Sequence, residues 1–298
     1  PNGTEWWTQH SDLAKMPRRN TLPPVFSVSS SSDFADIAGI PFMSFSDKKA
    51  MSENLVRQDN NLSSHDSWES RKGTAFFRGA LSDCQLSIQK YNGDVNYCAR
   101  AKIVYEAVRT KSKLLEEVRT TSSFLKTGLN IDCPSCTRGN LNGEDFMKNL
   151  WDHKYLLNFD GAGKWSRRLS LLLRTGGLIF HAQSSGYQFY DFQLKPGRHY
   201  IPFDPDVGSP GFGNLLSRIH WAEGNPNIAR KIAARTESFG SNCLKEESID
   251  YFVSILLQQY SKLLSGSSSE LPLVDLSTCF SRDRQAHISR LCPKVIRN

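Results

Sequence analysis

The segment Asn158-Phe-Asp-Gly-Ala-Gly-Lys-Trp-Ser-Arg-Arg168 carries the residue types that cradle a phosphate. Gly161 and Gly163 have no side chain, so backbone N–H groups of this turn can come close to a ligand. Ser166 suits an N-cap, and the first-turn N–H groups of a helix starting there, with the helix dipole, favour an anion. Arg167 or Arg168 can add a planar two-pronged contact to phosphate oxygens. The pattern is neither a Walker A loop nor GxGxxG, which argues against a P-loop NTPase and a dinucleotide dehydrogenase. A βα turn with a purely structural role has the same composition, and that reading stays open.

A second constellation is Cys133-Pro-Ser-Cys136. A zinc site would want a further such pair or a histidine pair at matching spacing, and none follows. A redox CxxC usually opens a helix after a strand, whereas this one sits among Asn, Asp, Pro, Ser, Thr and Gly. A structural disulfide, two free thiols and a functional pair are all compatible with it.

The phosphate turn needs a strand before it and a helix after it. Tyr155–Phe159 reads as the strand, Asp160–Trp165 as the loop and Ser166–Thr175 as the helix. Leu169, Leu172 and Leu173 fall at i, i+3 and i+4, the face that packs on a sheet. Gly176-Gly177 ends the helix and Leu178–Ala182 is the next strand, giving the βαβ crossover of a parallel sheet. Thr74–Phe77 reads as another buried strand, ending at Arg78-Gly79. Ala99–Val118 reads as one helix, with Ile103, Ala107, Leu114, Leu115 and Val118 on one face. Further helices are expected over Gly143–His153, Gly213–Glu223, Pro226–Phe239 and Glu246–Leu264.

Residues 1–66 are irregular, with strand-like pieces at Pro24–Val28 and around Ile40–Phe45 and a polar break at Asp59–Asp66. The expected division is 1–66, 67–265 and a basic tail over 266–298. The class is α/β, with an open Rossmann-like sheet.

Composition bounds the partners. The 298 residues are 39% hydrophobic and 22% charged, which excludes collagen, coiled coil and wholesale disorder. No apolar run approaches the ~18–20 residues of a membrane span. The net charge is +7, but Ser281–Asn298 holds five basic residues against Asp283, a net +4. The body is nearly balanced, so no nucleic-acid partner is expected; the tail reads as a solvated basic segment, or one attracted to a membrane surface or polyanion. Asn2-Gly-Thr4 and Asn61-Leu-Ser63 match the N-glycosylation pattern and favour a secretory compartment.

Several motifs occur together in order: Pro24-Val-Phe-Ser27, Ala75-Phe-Phe-Arg-Gly79, Tyr155-Leu-Leu-Asn-Phe-Asp-Gly161, Trp165-Ser-Arg-Arg168, Gly177-Leu-Ile-Phe180 and Leu194-Lys-Pro-Gly-Arg-His-Tyr-Ile-Pro202. This set resembles the protein O-glucosyltransferases of the Rumi type and their fungal capsule-associated relatives, glycosyltransferase family 90, also described as a lipopolysaccharide-modifying-enzyme-like domain. The resemblance runs from about residue 12 to about residue 265.

The resemblance implies a GT-B fold, two Rossmann-like halves with the active site between them, of which this chain would lack part of the N-terminal half. It implies inverting transfer of glucose or xylose from UDP-glucose or UDP-xylose to a hydroxyl of a protein or glycan acceptor, with no metal and no other cofactor, in the endoplasmic reticulum or Golgi lumen. Nucleotide-sugar contacts would come from Arg78, Arg100, Gly161, Ala162, Gly163, Lys164, Trp165, Ser166, Arg168 and Gln188. Arg100 has a rival reading as a helix-start surface residue, and Arg78 as an ion-pair partner. The catalytic base would be Asp12, in His10-Ser-Asp-Leu-Ala-Lys-Met-Pro17, which could also be an ordinary terminal residue; His10 is a weaker candidate.

The chain departs from the pattern in three places. Ala80 stands where a small hydroxyl residue often follows the FFRG-like motif. Gln188 stands where relatives usually carry Glu, losing a charge that could accept from ribose hydroxyls. Gly197-Arg198 replaces a bulkier apolar pair, and His199 and Tyr200 read as packing residues. Ala80 and Gln188, with the expected loss of part of the N-terminal half, motivate an alternative, a family member that binds a glycan or protein without transferring sugar. Asp204-Pro-Asp206 has the DxD spacing of metal-dependent transferases but lies in a Pro/Gly loop, and no metal site is expected there.

Overall fold

The computed structural model describes residues 26–27, 29–31, 37–38, 68–161, 167–183, 186–205 and 215–264. Asp12, Asn2, Asn61, the Ile40–Phe45 and Asp59–Asp66 segments, Ala162–Ser166, Asp206 and the 281–298 tail lie outside the described residues, as do both expected domain boundaries.

In chain order the strands are β1 (Phe26–Ser27), β2 (Ser29–Ser31), β3 (Ile37–Ala38), β4 (Lys72–Gly79), β5 (Glu117–Thr120), β6 (His153–Asn158), β7 (Leu178–Ala182), β8 (Gly186–Gln188) and β9 (Ile201–Phe203). The helices are α1 (Gln85–Lys90), α2 (Ala99–Arg109), α3 (Phe124–Thr127), α4 (Gly143–Asp152), α5 (Arg167–Leu172), α6 (Leu215–Gly224), α7 (Pro226–Cys243) and α8 (Glu246–Leu264). Five strands form one sheet in the order β5-β4-β6-β7-β9, and every neighbouring pair is parallel.

A parallel sheet covered on both faces needs apolar residues at consecutive positions, and the three central strands supply them. Phe77, Tyr155, Leu157 and Phe180 face one core with Ile103, Val104 and Ala107 of α2 and Ile219 of α6. Phe76, Leu156 and Ile179 face the other, with Leu150 of α4 and Phe239 of α7. The leucines of the crossover helix are buried there as their spacing predicts, Leu169 at 2% exposure and Leu172 and Leu173 at 1%. Gly176, at φ +68, turns the chain out of that crossover into β7.

One expected helix is divided. The helix beginning at Ala99 ends at Arg109, Lys113–Leu115 forms a 3₁₀ turn, and Val118 lies in β5. Lys111 takes a left-handed φ of 50°, which no continuing helix accommodates. Val118 and Thr120 then face inward from a four-residue strand, too short for its alternation to be read in the sequence.

Topology locates the site. In chain order the chain moves from β4 outward to β5, then returns past β4 to β6 and continues away through β7 to β9. The direction of winding therefore reverses between β4 and β6, and ligands of open α/β sheets bind in the crevice beyond the carboxyl ends of such strands.

Candidate functional site

β4 ends at Arg78-Gly79 and β6 at Asn158, followed by Phe159-Asp160-Gly161. The guanidinium of Arg100, from the first turn of α2, joins these two ends. Its Nη1 donates to the Ala80 carbonyl at 2.7 Å and to Ser82 Oγ at 3.1 Å, and its Nη2 to the Phe159 carbonyl at 3.2 Å. Asp83 accepts from the Arg100 backbone N–H at 3.1 Å and stands 3.6 Å from Nε. Arg100 is thus buried at 5% exposure and is no surface residue.

Arg168, in the first turn of α5, reaches the same place from the other side. Its Nη2 donates to the Arg78 carbonyl at 3.0 Å, and its guanidinium carbon is 4.6 Å from the Phe77 ring centroid. A Cβ on Gly79 would collide with this guanidinium, so the bare strand end lets Arg168 cross. Arg100 lies 6.0 Å from the same ring centroid. Burial and, after it, the Arg100 charge lower the Arg168 pKa to about 9, with Asp83 partly opposing both. Burial also lowers Arg100, against the pull of Asp83 and Asp160. Cations held in this state gain from an anion that lets them stay charged.

The other expected contacts are distributed around this centre. The Arg78 carbonyl serves Arg168, while the Arg78 side chain points to Glu117 at 3.4 Å, which also accepts from Arg138 Nη1 at 2.7 and 2.8 Å. Gly161 begins the loop, whose residues Ala162, Gly163, Lys164, Trp165 and Ser166 lie outside the described residues. Gln188 ends β8, pairs with Ser29 of β2, and donates its backbone N–H to Asp191 Oδ2 at 2.7 Å. Three residues on, burial raises the Asp191 pKa to about 7, opposed by the Gln188 N–H and reinforced by Asp160. His199 is a packing residue. Its Nδ1 accepts from the Lys195 N–H at 3.0 Å, its ring lies against Phe239, and burial lowers its pKa to about 4.

Motif spacing did not single out Asp83, Asp160 or the pairing of Asn158 with His181. Asp160 lowers the proton affinity of none of its neighbours: it raises Asp83, Tyr190 and Asp191 and offsets the burial of Arg100 and His181. Lateral register generates the other group. Arg119 is opposite Arg78, His181 is opposite Asn158, and carrying the Phe76–Leu156 register two residues on sets Arg78 beside Asn158. One face of the sheet therefore ends in a polar row across four strands.

Metal-ligating chemistry is poorly served among the described residues. Asp83, Cys84 and Cys98 place ligand atoms within 4.8 Å of one another, but Cys84 and Cys98 are bonded in a disulfide and offer no thiolate. Cys133 and Cys136 are bonded as well, which settles that pair as a disulfide, and Cys243 is also disulfide-bonded.

The model of the family described as glycosyl transferase family 90 matches residues 5–272. Protein O-glucosyltransferase 1 of Bos taurus is 37% identical over 120 residues, 39% of this chain and 29% of that protein. The Mus musculus protein of the same name is 29% identical over 201 residues, 66% of this chain and 44% of its own length. O-glucosyltransferase rumi of Drosophila melanogaster is 27% identical over 201 residues, 66% of this chain and 42% of that protein. The chain thus spans less than half the length of these curated relatives. A solved glycosyltransferase from Rickettsia africae aligns with a TM-score of 0.38 and 10% identity, over 72% of this chain and 53% of that one.

Proposed function

Because the chain belongs to glycosyltransferase family 90, we propose that it takes part in inverting transfer of glucose or xylose from a UDP-sugar to a hydroxyl of a protein or glycan acceptor, without a metal ion. The observation that carries this reading is the pair of buried guanidiniums, Arg100 and Arg168, against Phe77 at the winding reversal of a parallel sheet. In such a transfer the acceptor oxygen bonds to the anomeric carbon as the bond to the UDP oxygen breaks. A base takes the acceptor proton, and the electron pair leaves on the diphosphate. Cations must take up that growing charge if no metal does, and Arg168 and Arg100 are in position at the strand ends. Asp12 is the proposed base.

The name protein O-glucosyltransferase, borne by several of the relatives, supports a polypeptide hydroxyl as acceptor. An oxidising lumen of the secretory pathway suits a chain whose Cys84–Cys98 and Cys133–Cys136 pairs are bonded. Among the described residues no helix is long and apolar enough to cross a membrane.

Calorimetric titration with UDP, followed by a sugar-transfer assay with UDP-glucose and UDP-xylose, tests the reading. Binding near micromolar concentrations with transfer is the expected result. Binding without transfer would favour the sugar- or protein-binding alternative, for which the uncharged Gln188 is the motive. Absence of UDP binding would overturn the nucleotide-sugar assignment.

A further inference from the structure

The polar row at the strand ends contains a hydrogen-bonded pair that the diphosphate site as described does not use. Asn158 Nδ2 stands 3.1 Å from His181 Nδ1, across neighbouring positions of β6 and β7. With the Asn158 amide nitrogen as the donor, Nδ1 accepts and the proton of the neutral ring sits on Nε2. Burial lowers the proton affinity of His181, with Asp160 and a hydrogen bond to the Asn158 backbone opposing, and the Tyr200 ring stands edge-on with its centroid 5.2 Å away. The ring is therefore a neutral donor at neutral pH.

Packing does not account for this pair. Asn158 is fully buried at 0% exposure, and its Oδ1 has no hydrogen-bond partner. The residues preceding the pair on that face, Leu156 and Ile179, are apolar, and an apolar side chain would fill position 158 without leaving a buried oxygen unpaired. His181 is only partly buried, and it lies next to the last residue of β7, the strand beside the one whose end forms the crevice. Arg100 and Arg168 already repel one another there, so a third donor without charge can hold an anion where a third cation would add repulsion.

We propose that His181, with its proton on Nε2, donates a hydrogen bond to a diphosphate oxygen of the bound nucleotide sugar, and that Asn158 is the positioning residue that fixes this tautomer. The inference rests on the UDP-sugar reading above. Asn158 acts only through the ring; His181 touches the ligand.

The test is ¹⁵N-edited NMR of the histidine side chains in the whole chain at pH 7, with and without UDP, assigned through His181→Phe. The expected spectrum shows His181 neutral and protonated at Nε2, moving when UDP is added and still when uridine is added. His181→Phe should weaken UDP binding by about 10- to 100-fold, the range for a hydrogen bond to a charged acceptor. Asn158→Asp should move the proton to Nδ1, facing the new carboxylate, and abolish the UDP-induced change. A wild-type ring protonated at Nδ1, normal UDP binding that leaves the ring unmoved, or an equal response to uridine would overturn the proposal while leaving the UDP-sugar reading intact. Failure of the wild-type chain to bind UDP in calorimetry would overturn both. If the variants do not fold, a truncation-free assignment by selective labelling of the wild-type histidines still decides the tautomer and the response.

Discussion

Arg100 and Arg168 lie against one ring: their guanidinium carbons are 6.0 and 4.6 Å from the centroid of Phe77. Arg100 also bonds the carbonyls of Ala80 and Phe159, so it holds the crevice in shape as well as supplying charge. Arg168 has a depressed proton affinity and gains more from an arriving anion.

Arg168→Ala is therefore predicted to reduce sugar transfer about 100- to 1,000-fold, the effect of losing a donor to a developing anion, ~2.7–4 kcal/mol. Arg168→Lys should recover little, since an ammonium lacks the planar fork and the stacking face. The check is a comparison of kcat and KM for the two variants. A loss confined to KM would show that the contact is equal in ground and transition states.

Gly79→Ala is predicted to displace Arg168, because the new Cβ would occupy the space of its guanidinium. UDP affinity should fall even though Gly79 carries no functional group. In Gly79→Ala/Arg168→Ala the second change removes the clash, so the stability losses should be clearly non-additive. Denaturant unfolding of the four proteins measures the coupling, and strict additivity would contradict the contact.

Asp191 and His199 are predicted to give opposite pH dependences of stability. The folded Asp191 pKa is raised to about 7, so between about 4 and 7 the unfolded chain loses its proton first and Asp191 costs stability as pH rises. The folded His199 pKa is lowered to about 4, so over about 4 to 6.5 the unfolded chain binds the extra proton and stability is lost as pH falls. Relative to wild type, Asp191→Asn should gain stability from pH 4 to 7 and His199→Asn should gain it from pH 6.5 to 4. Thermal melts across that range would show it, and parallel curves would refute it.

The Tyr155 hydroxyl, in β6, donates to the Glu223 carboxylate in α6 and fastens that helix to the sheet. Tyr155→Phe should lower stability by about 1.5–3 kcal/mol, the range for a hydrogen bond to a charged group. Glu223→Gln, which keeps an acceptor, should be milder. Equilibrium unfolding in urea provides the measurement.

The buried strands were legible because a parallel sheet writes continuous apolar runs, Ala75-Phe-Phe77, Tyr155-Leu-Leu157 and Leu178-Ile-Phe180, between turn residues. The α8 helix Glu246–Leu264 was legible in full from its periodicity. Edge strand β5 was not, since its four residues continue the spacing of the helix before it. Arg168 stood out through its motif, and Arg100 through a family resemblance. The Asn158–His181 pair and the Asp83–Arg100 pair depend on which residues lie abreast on neighbouring elements, which periodicity along one strand does not encode.

The Cys84–Cys98 bond directly adjoins Asp83 and comes two residues before Arg100. The disulfide closes the intervening chain into a ring whose neck is the ion pair. The covalent ring thereby holds Arg100 at the strand ends before any anion arrives. On the proposed function, a chain lacking that bond would present a slack, solvated Arg100 to the leaving diphosphate, so its defect would surface as slow turnover before it surfaced as unfolding.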